Sequence, residues 1–114
     1  MNRLLPWTPP ADLDPECYDL CVALNKIPSI RTTESCCGHG EHAYVIFFQS
    51  RTMKSLIPLL YWIDGCHSGR YGWQVIVSTD CGCSGPFFRL EGPKGEQAYD
   101  DAKHIAGLIR QEFR

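Results

Sequence analysis

Two stretches of this chain gather side chains that can do chemistry. Glu34-Ser-Cys-Cys-Gly-His-Gly40 sets two thiols and an imidazole among glycines, and Asp80-Cys-Gly-Cys-Ser-Gly85 repeats the thiol and glycine pattern later in the chain. Glycine lets a backbone amide turn outward and approach a ligand closely, while Cys and His are frequent metal ligands and reactive groups. An Asn-Gly or Asp-Gly pair would close a hairpin more simply. Glu34, Cys37, His39 and Gly40 are therefore more than a turn requires.

Three chemistries fit. The first is a ligand cradle, in which the amides of Gly38 to Gly40 form an anion-binding nest. Arg31, Arg51, Arg70 and Arg89 supply candidate phosphate forks, and Trp62, Tyr71 and Trp73 are candidate stacking platforms for a base. Glu34 and Glu91 can accept ribose hydroxyl bonds, and His39 and His42 can donate or accept. The second is zinc. Residues i and i+2 of an extended chain point the same way, so Cys37 with His39 and Cys81 with Cys83 make two same-face pairs, a Cys3His set if the tips meet. Cys66-His67 is a substitute pair, but no Cys-x2-Cys or His-x3-His spacing accompanies any of them. The third is catalysis, with Cys37 or Cys36 as nucleophile and His39 or His42 as base, or the two histidines shuttling protons on a phosphodiester. No Asp stands next to either His in sequence to orient it.

The same alternation predicts that Cys36 faces away from Cys37 and His39, into the core. That narrows the cradle to the Gly38–Gly40 amides and His39, with the thiols as lining.

The elements that must position these turns are legible. Residues 1–13 carry Pro6, Pro9 and Pro10 around Leu4, Leu5 and Trp7, an extended arm that packs either on its own core or on a neighbouring subunit. Asp14-Pro15 is a helix start, with Asp at the N-cap and Pro at the first helical position. Cys17, Leu20, Cys21 and Leu24 follow at i, i+3, i+4, i+7, so these two thiols belong to the core. A strand from Ile30 to Ser35, the thiol turn and a return strand Ala43–Phe48 come next; the unbroken apolar run of the latter suggests a central strand covered on both faces. A helix spans Thr52 to Asp64, with Ser55 as effective N-cap if Pro58 is to fit, and Gly65 as C-cap. Strands Tyr71–Val77 and Pro86–Glu91 flank the second turn. A last helix carries Ala98, Ala102, Ile105, Leu108 and Ile109 on one stripe. The order α-ββα-ββα predicts an α+β fold: a pseudo-symmetric four-stranded antiparallel sheet with helices on one face. Residues 14–114 make one domain behind the 1–13 arm.

Composition limits the partners. At 114 residues, 44% hydrophobic and 21% charged, the chain reads as one globular domain. A net charge of −2 lacks the basic excess of a nucleic-acid polymer binder. Without an apolar h-region or a membrane-length run, a cytoplasmic protein is expected, its seven cysteines mostly reduced.

The string Ile30-Arg-Thr-Thr-Glu-Ser-Cys-Cys-Gly-His-Gly40, with Phe87-Phe-Arg-Leu-Glu-Gly92 and Ala98-Tyr-Asp-Asp-Ala102, resembles small uncharacterised phage and bacterial proteins over about residues 13–113. More remotely, Thr33, Ser35, Cys36 and Gly38 resemble the Thr-Ser-Ser-Cys-Ser-Gly strand-turn of the tRNA wybutosine-synthesis methyltransferase family. That likeness implies an S-adenosylmethionine or nucleoside-shaped pocket, although His39 replaces the Arg that follows the family's Gly. In size and pocket chemistry the chain is similar to phage proteins that sequester or cleave nucleotide signals of host defence.

The resulting expectation is a cytoplasmic homo-oligomer, aided by its arm, that binds and sequesters a small nucleotide-like ligand without a cofactor. Glu34, Cys37, Gly38, His39, Gly40, His42, Arg70, Tyr71, Trp73 and Arg89 are its predicted binding residues. Cleavage by His39 and His42, and a structural zinc module, stand as alternatives.

Overall fold

The computed structural model describes residues 7–78 and 87–113. Along the chain run α1 (Pro15–Leu24), β1 (Ile30–Cys36), a single 3-10 turn (Gly38–Gly40), β2 (Ala43–Ser50), α2 (Met53–Ile63), α3 (Gly65–Ser68), β3 (Gln74–Ser78), β4 (Phe87–Lys94) and α4 (Glu96–Glu112). The strands form one antiparallel sheet in the order β1-β2-β4-β3. Its two middle strands each follow their own hairpin partner, which is the pseudo-symmetry expected of two ββα units.

Burial alternates along β2 and β4. Tyr44, Ile46 and Phe48, with Phe88 and Leu90, are buried on one face, joining Leu20, Leu24, Leu59, Ile105 and Ile109 from α1, α2 and α4 in one core. Val45, Phe47 and Gln49 on the other face are only half-buried. β2 is thus central but covered on one face, because helices pack on a single side of the sheet. Cys17 and Cys21 lie in the core as their helical spacing required. Of the arm, Trp7 and Leu13 pack against this chain's own core, and Leu13 N–H closes a turn onto the Pro10 carbonyl at 3.2 Å.

Several boundaries differ from expectation for local reasons. Thr52, not Ser55, caps α2: its hydroxyl accepts the Ser55 N–H at 3.3 Å, which leaves Pro58 inside the helix. Gly65 does not end α2. Asp64 does, and it caps α3 through the Cys66 N–H at 3.1 Å, while the Tyr71 ring fills the place a side chain on Gly65 would need. β3 starts late, at Gln74, after Gly72 turns at φ 90° and sends Trp73 inward. β4 runs on through Gly92 because the Trp73 ring lies 2.6 Å from where a Cβ would stand, so only glycine fits.

The register decides how the two hairpins relate. Ala43 pairs with Lys94, Gln49 with Phe87, and Ser78 with Phe87. The strand ends Ser78 and Phe87 therefore stand at the opposite end of the sheet from the thiol turn, one strand length or about 20–25 Å away. Among the described residues no helix is long and apolar enough to cross a membrane.

Candidate functional site

The thiol turn is wound left-handed through three consecutive residues. Gly38, His39 and Gly40 have φ of 80°, 52° and 84°. Gly38 is obligatory, since a Cβ there would lie 2.9 Å from the Ala43 carbonyl oxygen. Its own carbonyl accepts the N–H groups of Glu41 and His42, both at 3.0 Å, and this closes the loop. A histidine in the left-handed region costs free energy that glycine would avoid.

This winding points the amides inward. Cys37 N–H donates to Asp14 Oδ2 at 3.0 Å, Gly38 N–H to Cys36 Sγ at 3.4 Å, and His39 N–H to Cys37 Sγ at 3.4 Å. The Tyr99 hydroxyl lies close to the Cys37 thiol and the Gly40 backbone, and the thiol raises it above its ordinary range. Three successive amides thus face a carboxylate and two sulfurs of the same chain. The nest expected to hold phosphate already has internal acceptors.

The two cysteines exchange the roles assigned from alternation. Cys37 is buried and Cys36 is exposed. The cause is a bulge in β1 between Thr32 and Glu34, which shifts the facing of every later residue by one. Ser35 pairs with Ile46 on the core face and Cys36 with Val45 on the outer one. Cys37 Sγ still meets His39, at 3.7 Å from Nδ1. Burial pushes the Cys37 thiol above its ordinary range, against the pull of the His39 amide and with a further push from Asp14. A neutral thiol is a poor nucleophile.

Asp14 occupies the N-cap position of α1 but makes no capping bond; its carboxylate reaches across to the turn instead. The first turn of α1 is pinned a second time by Tyr44, whose buried hydroxyl donates to the Glu16 carbonyl at 2.9 Å. Burial raises the Tyr44 hydroxyl and the Cys17 and Cys21 thiols beneath it, the last two to about 12 and about 11. One carboxylate oxygen of Asp14, Cys36 Sγ and one His39 ring nitrogen all lie within 4.8 Å of one another.

The remaining predicted residues divide. Glu34 is exposed on β1, and His42 is exposed at the mouth of the turn. Trp73 is buried rather than available to stack on a base: its Nε1–H donates to Asp101 Oδ2 at 3.1 Å and its ring meets Tyr44 edge-on, centroids 5.3 Å apart. Arg70 bridges Asp100 at 3.2 Å and Asp101 at 3.5 Å. Tyr71 is exposed but lies over Gly65. Arg89 Nε, on the outer sheet face, is 3.0 Å from Glu91 Oε2. These cations hold the fold's own carboxylates. Cys81 and Cys83 lie outside the described residues, and the strand ends flanking them are at the far end of the sheet.

Sequence reasoning missed Asp14 and Tyr99 as members of the site. Asp14 read as an ordinary N-cap, and Tyr99 as one residue of an amphipathic helix. Beside the turn, a cavity of about 420 Å³ runs between the arm and the edge strand β1, lined in part by Trp7, Asp12, Leu13, Cys21, Thr33, Glu34 and Ser35. Leu13 and Ser35 in its wall directly precede Asp14 and Cys36. No protein-family model, curated protein or solved structure matches the chain.

Proposed function

We propose that the chain binds a small nucleotide-like molecule by its base and sugar, in the cavity between the arm and β1. The cavity itself is the observation that carries this reading: about 420 Å³ is the scale of a nucleoside-sized pocket. Trp7 supplies an aromatic wall for stacking, and Glu34 and Asp12 supply acceptors for ribose hydroxyls or exocyclic amines. Among the described lining residues none is Arg, Lys or His. Capture without turnover is favoured, because the buried Cys37 thiol is held neutral beside its histidine. By analogy with small phage proteins, such capture would remove a nucleotide signal from solution.

The test is a panel of nucleosides, cyclic dinucleotides and ADP-ribose-type molecules, followed by mass spectrometry of whatever the denatured protein releases. Intact ligand is expected, with affinity falling at least about tenfold in Trp7→Ala, the scale of one lost base stack. Release of a cleaved product would favour the hydrolytic alternative. Absence of binding across the panel would remove the reading.

A further inference from the structure

We propose that Asp14, Cys36 and His39 form a three-ligand site for a zinc-class divalent cation, with the fourth position open to solvent. The three donors come from three different places: the N-cap of α1, the last residue of β1 and the middle of the left-handed turn. Their ligand atoms already lie within 4.8 Å of one another. Bond lengths of about 2.0–2.3 Å to a tetrahedral ion put neighbouring ligand atoms about 3.3–3.8 Å apart, so side-chain rotation of about 1 Å closes the site.

Each donor departs from its local rule in a way a metal explains. Asp14 leaves the helix end uncapped and turns toward the loop, where it accepts the Cys37 amide and lies against the Cys37 thiol. Cys36 Sγ accepts the Gly38 N–H at 3.4 Å, a bond that stabilises negative charge on sulfur. His39 holds a left-handed backbone conformation between two glycines, where a third glycine would be less strained. Cys37 acts one step back: its sulfur, 3.7 Å from His39 Nδ1, orients the imidazole as outer-sphere partners of metal ligands do.

The donor types set the metal class. A thiolate, an imidazole and a carboxylate suit zinc and its tetrahedral neighbours, whereas magnesium and calcium take oxygen. Three protein ligands and one open position describe a site that binds a water or a substrate atom, unlike the closed four-ligand sites of structural zinc. The metal site stands without the nucleotide reading, and its test uses no organic ligand.

Protein purified without chelators is titrated with zinc and, separately, with cobalt(II). About one ion per chain is expected, with a sulfur-to-cobalt charge-transfer band. Asp14→Asn, Cys36→Ser and His39→Gly should each weaken zinc binding at least about 100-fold, and Cys36→Ser should abolish the band. His39→Gly relieves the backbone and Asp14→Asn keeps the acceptor for the Cys37 amide, so both preserve the fold. Cys37→Ser should retain the band with affinity reduced about 10–100-fold. Fewer than about 0.1 ion per chain at saturating zinc would overturn the proposal. So would unchanged binding in all three ligand variants, or loss of the band in Cys37→Ser but not in Cys36→Ser.

Discussion

Two polar clusters occupy the same end of the sheet, one on each side of the Tyr44 ring. In one, Asp101 is almost fully buried and receives the Trp73 indole N–H and the Arg70 guanidinium, with Asp100 taking the same cation. In the other, Asp14 receives a single backbone amide, and its neighbours are an exposed thiol, a buried thiol and an exposed imidazole. In the first cluster the buried carboxylate has a cation and an indole donor placed on it; it joins α4 to the approach of β3. The second gathers a carboxylate, two sulfurs and an imidazole, with no Arg or Lys bonded to them among the described residues. The difference separates a polar group kept for architecture from one with ligating capacity left over.

The contrast is open to attack at several points, the largest effect first. Asp101→Ala should destabilise the protein by about 2–4 kcal/mol in chemical denaturation, because it strands a buried indole donor and removes the matching charge of Arg70. A loss below about 1 kcal/mol would mean that Asp101 is no structural anchor. Gly38→Ala should cost about 2–3 kcal/mol, from a positive φ together with the clash against the Ala43 carbonyl. The same measurement on His39→Gly should show a gain of a few tenths to about 1 kcal/mol. A loss there would show that the imidazole supports the fold rather than straining it.

A third test concerns the thiols below the turn. Burial pushes the Cys17 and Cys21 thiols up to about 12 and about 11, from an ordinary value of 9.0. Folding therefore favours their protonated forms. That contribution is fully present below pH 9 and is lost as pH rises toward 11 and 12, where the unfolded chain has already released its protons. Denaturation midpoints should accordingly fall across pH 9 to 11, with a shallower slope in a Cys17→Ala, Cys21→Ala double variant. An unchanged slope would remove these thiols as the cause. The smallest effect is expected at Asp14→Asn in metal-free protein, under about 1 kcal/mol, since Asn keeps the acceptor for the Cys37 amide. A larger loss would make Asp14 an architectural residue like Asp101.

Much of the fold was readable because its signals are local or periodic. Asp14-Pro15, the helical spacing from Cys17 to Leu24 and the ββα repetition each depend on neighbouring residues only. The candidate site was readable in part: the thiol turn stood out, yet its ligands were sorted wrongly. A bulge at Thr33 has no compositional mark, and it alone decides that Cys36 rather than Cys37 faces outward. Asp14 gave the signal of a cap, and only the tertiary approach of α1 to the turn reveals that its side chain serves another partner. Arg70 and Trp73 had the chemistry of a nucleotide pocket, but pairing with Asp101 is a contact nearly thirty residues away in sequence that no local pattern encodes.

The most direct measurement is X-ray absorption at the zinc edge of the zinc-loaded protein, which counts sulfur ligands. One sulfur at about 2.3 Å with the remaining nitrogen and oxygen ligands at about 2.0–2.2 Å is expected, and the sulfur should vanish in Cys36→Ser. Two or more sulfurs, or a single sulfur that survives Cys36→Ser, would contradict the assignment of the turn as a one-thiolate site.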